Sequence, residues 1–233
     1  MFLIVFVACA AGAVVQGSIG IGLGLVAGAA LVSVDPGFAP GPLLLAGTFI
    51  SARHLSAEFE AIDRPGLRPS FMGLPIGVIG GLAILLAVDE RTLALCIGAA
   101  ICIAAVVLLA GVQPPVSAAV KFIGGLLTAF CGITAGVPGP PFVLAFNELK
   151  PAAMRATSAA FTVVVAAISL VLLMVADRFG SEEALLLALM APGILFGLTI
   201  AHWVRPLLER PWFRPAILLI ALAGGAALIV RNL

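Results

Sequence analysis

The chain has 233 residues, of which 63% are hydrophobic and 10% charged, with a mean hydropathy of +1.27. A soluble domain carries about 25% charged residues, so this composition excludes one, and a net charge of +1 with no basic run excludes a nucleic-acid binder. The chain reads as an integral membrane protein with little mass outside the bilayer.

Residues 1–34 are mostly apolar, longer than the roughly 20 residues that one spanning helix needs. Their start resembles a signal peptide but lacks a positively charged n-region, and the apolar pattern runs on, so it reads as the first membrane segment. A break interrupts it at Gln16-Gly17-Ser18-Ile19-Gly20-Ile21-Gly22-Leu23-Gly24. Ordinary spans follow at residues 39–56, 70–88 and 92–111. Residues 116–148 form a second long stretch, broken at Cys131-Gly132-Ile133-Thr134-Ala135-Gly136-Val137-Pro138-Gly139-Pro140-Pro141. Spans at residues 152–176, 183–204 and 213–231 complete the chain. Glycine costs about 1 kcal/mol in a helix interior and proline about 3, so both breaks predict unwound backbone. At membrane depth such backbone must be buried in protein or line a cavity.

The breaks recur in equivalent places, Gly20 and Gly136 being 116 residues apart. Pro75-x4-Gly80 recurs as Pro192-x4-Gly197, and Gly47-Thr48 has a counterpart in Ala156-Thr157. The expected fold is all-α and polytopic: one transporter domain over residues 1–233, made of two inverted repeats, about 1–115 and 116–233. Each repeat has a Gly/Pro-broken re-entrant or half-helix pair plus three transmembrane helices. Charge favours this arrangement. If each broken segment crossed once, the ten basic residues other than Lys121 and Arg155 would divide five to five. If each returns to its starting side, Arg53, Arg64, Arg68, Lys150, Arg205, Arg210 and Arg214 share one side, against Arg91, Arg178 and Arg231. The second division obeys the positive-inside rule and puts both termini outside. Paired broken segments in two halves point to a transporter site.

The site chemistry follows from the breaks. Short helices beginning within residues 17–24 and 139–142 would aim backbone N–H groups at them, and helix N-termini attract anions. The candidate substrate-binding residues are Gly17, Ser18, Gly20, Gly22, Gly24, Gly132, Gly136 and Gly139, with Thr48, Thr134 and Thr157 as hydroxyl donors. Arg155, just inside a helix opened by Pro151, either faces the anion path or snorkels to the interface. Lys121 reads as a snorkelling residue, His54 and His202 as interfacial, and Trp203 and Trp212 as interface anchors. No carboxylate lies deep in a membrane segment, Asp35 and Glu148 being near segment ends, so the usual intramembrane proton relay is missing. Cys9, Cys96, Cys102 and Cys131 form no CxxC pair and read as small buried residues. Gly20-x-Gly22-x-Gly24 lacks the strand that a dinucleotide site requires. Neither a cofactor nor a metal site is expected.

At these residues the chain resembles the TauE/SafE sulfite exporter family. The resemblance rests on the glycine-rich break at residues 17–24, on Gly132-Ile-Thr-Ala-Gly-Val-Pro-Gly-Pro-Pro141-Phe-Val-Leu, and on Arg155-Ala-Thr-Ser-Ala-Ala-Phe161. Leu23, between Gly22 and Gly24, departs from the family's consecutive glycines. The resemblance implies export of sulfite, an organosulfonate or a related sulfur anion across a bacterial inner membrane. The expected partners are that small anion and the lipid bilayer, with a homo-oligomer left open. An alternating-access carrier is the first reading and a passive anion channel the second. An intramembrane hydrolase using Ser18 and His202 is the third; Gln16-Gly-Ser-Ile-Gly20 misses GxSxG at its first glycine.

Overall fold

The computed structural model describes the backbone of residues 1–208 and 213–233, and the side chains of these other than residues 19, 205–208, 213 and 214. Among the described residues all regular structure is helical. The helices are α1 (Phe2–Ile19), α2 (Leu23–Val34), α3 (Gly41–Glu58), α4 (Arg64–Ala87), α5 (Glu90–Leu109), α6 (Ala118–Ala135), α7 (Gly139–Ala145), α8 (Pro151–Val175), α9 (Ser181–Leu208) and α10 (Phe213–Asn232). Six of them, α4, α5, α6, α8, α9 and α10, are long and apolar enough to cross a membrane. The chain is a multi-pass membrane protein.

This set differs from the expected spans at two places. Residues 39–56 become α3, whose Arg53, His54 and Glu58 make it less apolar and whose first half is largely buried inside the protein. The first arm of the second broken segment, α6, is instead long enough to span. The two arms of each broken segment are unequal. The first arms have 18 residues each, whereas α2 has 12 and α7 has 7. The prediction tied to residues 205–214, including Arg205, Arg210, Arg214 and Trp212, lies outside the described side chains.

Both broken segments double back. A Cβ on Gly12 would lie 3.3 Å from Ala27 Cβ, and one on Gly22 would meet Val15 Cγ1, so α2 runs antiparallel to α1. Likewise a Cβ on Gly124 would meet Ala145, while one on Gly132 would lie 3.6 Å from Pro138. Each first arm is held by a glycine-bearing helix from far along the sequence. Gly193 and Gly197 of α9 sit on the carbonyls of Phe6 and Ala10 in α1, and Gly73 and Gly77 of α4 sit on those of Phe122 and Leu126 in α6. Small residues at such contacts let helix backbones approach closely where no hydrophobic force drives association. Gly98 and Gly225 bring α5 and α10 together antiparallel.

These contacts give a register that the sequence spacing missed. Phe6 and Phe122, and Ala10 and Leu126, are 116 apart, whereas Gly73 and Gly193, and Gly77 and Gly197, are 120 apart. Gly197 therefore plays the part of Gly77. Gly80, the counterpart suggested by the Pro-x4-Gly pattern, has no neighbour within 4 Å of a built Cβ.

The loops gather at two ends. At one end, Gly41 meets Phe179, Arg231 donates to Ser33 O, and Arg91 donates to the carbonyls of Asn232 and Leu233. At the other, Thr157 Oγ1 accepts the Asp63 N–H at 3.0 Å, Asn147 donates to Pro114 O, and Lys121 pairs with Asp63 and with Glu148 at 2.7 Å. Lys121 is thus ion-paired rather than snorkelling. The apolar core divides into two clusters. One is drawn mainly from α1, α2, α3, α5, α9 and α10 and the other from α4, α6, α7 and α8.

Candidate functional site

Two left-handed turns make the breaks. Gly20 (φ +90°) closes α1 with its N–H on Gln16 O at 2.8 Å. Gly136 (φ +68°) closes α6, where its N–H bonds Gly132 O and that of Val137 bonds Cys131 O. An L-residue with a Cβ pays about 1–2 kcal/mol in that conformation, which accounts for glycine at both. The turns meet: a Cβ on Gly24 would lie 2.8 Å from Val137 Cγ2, and one on Gly139 would lie 3.1 Å from Ile21 Cβ.

Between them lies a cavity of about 30 Å³, lined by Gly20, Gly22, Gly24, Gly136 and Gly139 together with Gln16, Gly47, Ser51, Pro138 and Thr162. It has room for about two water molecules. Gln16 organises it. Its Oε1 accepts the Leu23 N–H at 3.0 Å, and its Nε2 donates to Gly47 O at 2.7 Å. One amide thereby ties together α1, α2 and α3. The first-turn donors of a helix have no intrahelical partner; Leu23 gives its own to Gln16, and Gly24 and Leu25 line the cavity.

The second break does not mirror the first in its donors. α7 opens Pro138-Gly139-Pro140-Pro141, and proline carries no N–H. Gly139 is therefore the one N–H donor among these four residues. The expected pair of opposed N–H clusters reduces to one, at α2.

A second cavity of about 200 Å³ lies on the far side of the first break, lined by Gly17, Arg53, His54, Glu58, Arg155 and His202 among others. Here Arg155 is neither a free cation nor a snorkelling one. Its side chain is 7% exposed, and its guanidinium grips Glu58 with two hydrogen bonds, Nε to Oε2 at 3.0 Å and a second from an η nitrogen to Oε1. Its stem lies against Gly20, where a Cβ would come within 2.6 Å of Arg155 Cγ. His54 is partly buried, with Nε2 at 3.1 Å from Gln16 O. A carbonyl only accepts, so Nε2 carries the proton.

The hydroxyls expected at the site turn away from it. Ser18 Oγ donates to Val14 O at 2.8 Å and also contacts Ala201 O, Thr134 donates to Phe130 O, and Thr48 donates to Leu44 O. Thr48 lines an apolar groove between α3 and α9, and Thr157 supports the turn before α4. Gly132 packs against Val165 and Pro138. Both partners of Ser18 are backbone carbonyls, which is not the arrangement of a nucleophile paired with a histidine base. The residues that sequence reasoning passed over are Gln16, Ser51, Thr162 and Glu58. Gln16 carried a signal, as a lone amide inside an apolar run.

A family model described as "Sulfite exporter TauE/SafE" matches residues 4–228. The chain belongs to the TauE/SafE family. No curated protein and no solved structure matches it. Membership makes it a member of a transporter family and points to a membrane exporter of sulfite or a related anion.

Proposed function

We propose that this TauE/SafE member exports a small sulfur oxyanion, sulfite or an organosulfonate, by alternating access. The observation that carries this reading is the meeting of two doubled-back segments around one cavity. Gly20, Gly22 and Gly24 face Gly136 and Gly139 across it. The anion would be held by the α2 N-terminus, Gly139 N–H and the amide of Gln16. The cavity is smaller than such an anion, so the segments that line it must part as the anion loads.

Inverted repeats over about 1–115 and 116–233 fit the recurring contacts of α1 with α9 and of α6 with α4. The end carrying Arg53, Arg64, Arg68 and Lys150 is assigned to the cytoplasm of a bacterial inner membrane by the positive-inside rule, with both termini outside. An inside-negative potential drives each negative charge outward by about 2.3 kcal/mol per 100 mV, so export needs no proton relay.

The test is sulfite efflux from loaded proteoliposomes under an imposed voltage. Saturable, voltage-driven efflux with counterflow supports the carrier. Flux that rises linearly without counterflow refutes alternating access, and absence of sulfite and organosulfonate flux refutes the export reading.

A further inference from the structure

The cavity holding Arg155 and Glu58 does not belong to the central cavity between the breaks, yet it shares a wall with it. Gly20 lines the central cavity, the Arg155 stem lies on Gly20, and Arg155 lines the second cavity, a vestibule at the Arg53 end. Arg155 is the partition between the two spaces.

The way Arg155 is held is informative. A guanidinium presents parallel N–H groups that match two oxygens of a carboxylate, and the same fork matches two oxygens of a phosphate or another oxyanion. Glu58 fills that fork from the last turn of α3. The Glu58 side chain is 23% exposed and lines the vestibule. The vestibule is roomy at about 200 Å³, and Arg53, His54 and His202 line it from α3 and α9. With Glu58 neutralising Arg155, the charge of Arg53 remains to draw an anion in.

We propose that the vestibule is the loading site for the exported oxyanion, which docks on the Arg155 guanidinium by displacing the Glu58 carboxylate. Glu58 is then a tethered stand-in for the substrate that keeps the partition closed when no anion is present. Once released, Glu58 no longer pins Arg155 over the Gly20 turn, and the route to the central cavity opens. The inference rests on the export reading for its choice of a sulfur oxyanion as cargo.

The experiment is equilibrium binding of sodium sulfite, at constant ionic strength, to the purified protein in nanodiscs of phosphatidylcholine. Removing the competing carboxylate in Glu58→Gln tightens sulfite binding by about tenfold, the scale of one charge-assisted hydrogen-bonded pair. Adding Arg155→Lys to that variant abolishes the gain, because an ammonium has no fork. Arg53→Gln weakens binding in both backgrounds. A folded Glu58→Gln protein, judged by elution and melting, that binds sulfite no more tightly than the wild type overturns the proposal. Should Glu58→Gln fail to fold, Glu58→Asp shortens the tether and gives a smaller gain in the same direction; no gain there overturns it equally. Binding is read without transport, so the two readings fail separately. A gain in Glu58→Gln with no wild-type flux keeps the loading site and sinks export, while flux without a gain does the reverse.

Discussion

Gln16 is the residue whose replacement tests the site geometry most directly. In Gln16→Leu the Leu23 N–H loses its acceptor in a place where Gln16 itself is 7% exposed. A buried donor left without a partner costs about 1–3 kcal/mol. The hydrogen bond to Gly47 O is also lost, but Ser51 Oγ still donates to that carbonyl at 2.9 Å, so no second orphan is made. The loss of that bond adds about 0.5–1.5 kcal/mol. The expected total is about 2–4 kcal/mol, or a melting temperature lowered by about 4–16 °C for a chain of this size. Thermal unfolding in detergent measures it, with Ser51→Ala as a companion that falls by less. Gln16→Glu separates position from charge: it keeps an acceptor for Leu23 but sets an oxygen against Gly47 O and a negative charge on the cavity. Sulfite efflux from that variant falls further than its melting temperature predicts. A Gln16→Leu protein that melts with the wild type would refute the argument that this amide ties α1, α2 and α3 together.

Gly20→Ala meets both a left-handed φ and the Arg155 stem, so it destabilises by about 2–4 kcal/mol, seen as a lower melting temperature. Thr157→Val removes the acceptor of the Asp63 N–H and lowers stability by about 1–2 kcal/mol, while the sulfite concentration giving half-maximal flux stays unchanged. Gly77→Leu drives a side chain into the Leu126 carbonyl and abolishes the folded peak in size-exclusion chromatography, whereas Gly80→Leu, with open space around it, does not.

What the sequence shows well is the backbone. Clustered glycines and prolines cannot continue a helix, so both breaks are visible without tertiary information, and charge placement alone favours chains that double back. The donor-poor second break carried a signal of its own, since Pro140 and Pro141 have no N–H groups, but the expectation of an N–H cluster at residues 139–142 overlooked it. The hydroxyls mislead for a physical reason. Inside an apolar helix the nearest acceptor is the carbonyl one turn back, and Ser18, Thr48 and Thr134 all take it. The Arg155–Glu58 pair is not legible, because its members stand 97 residues apart and only packing brings them together. Glu58 also ends a helix whose other polar residues read as an interfacial fringe. The Gly73 and Gly77 contacts were obscured by a four-residue change of spacing between the broken segments and the helices that clamp them.

The clamps on the first arms bear on how the protein is made. The α1 carbonyls of Phe6 and Ala10 await Gly193 and Gly197, which a ribosome adds more than 180 residues later. Until then α1 and α2 lack that partner. By contrast, α4 precedes α6 and is already in place when the second pair arrives. Biogenesis is therefore lopsided even though the finished contacts match. The first hairpin is the segment that waits longest for its clamp, so mutations in α9 that leave every cavity residue intact nevertheless act on the packing of α1.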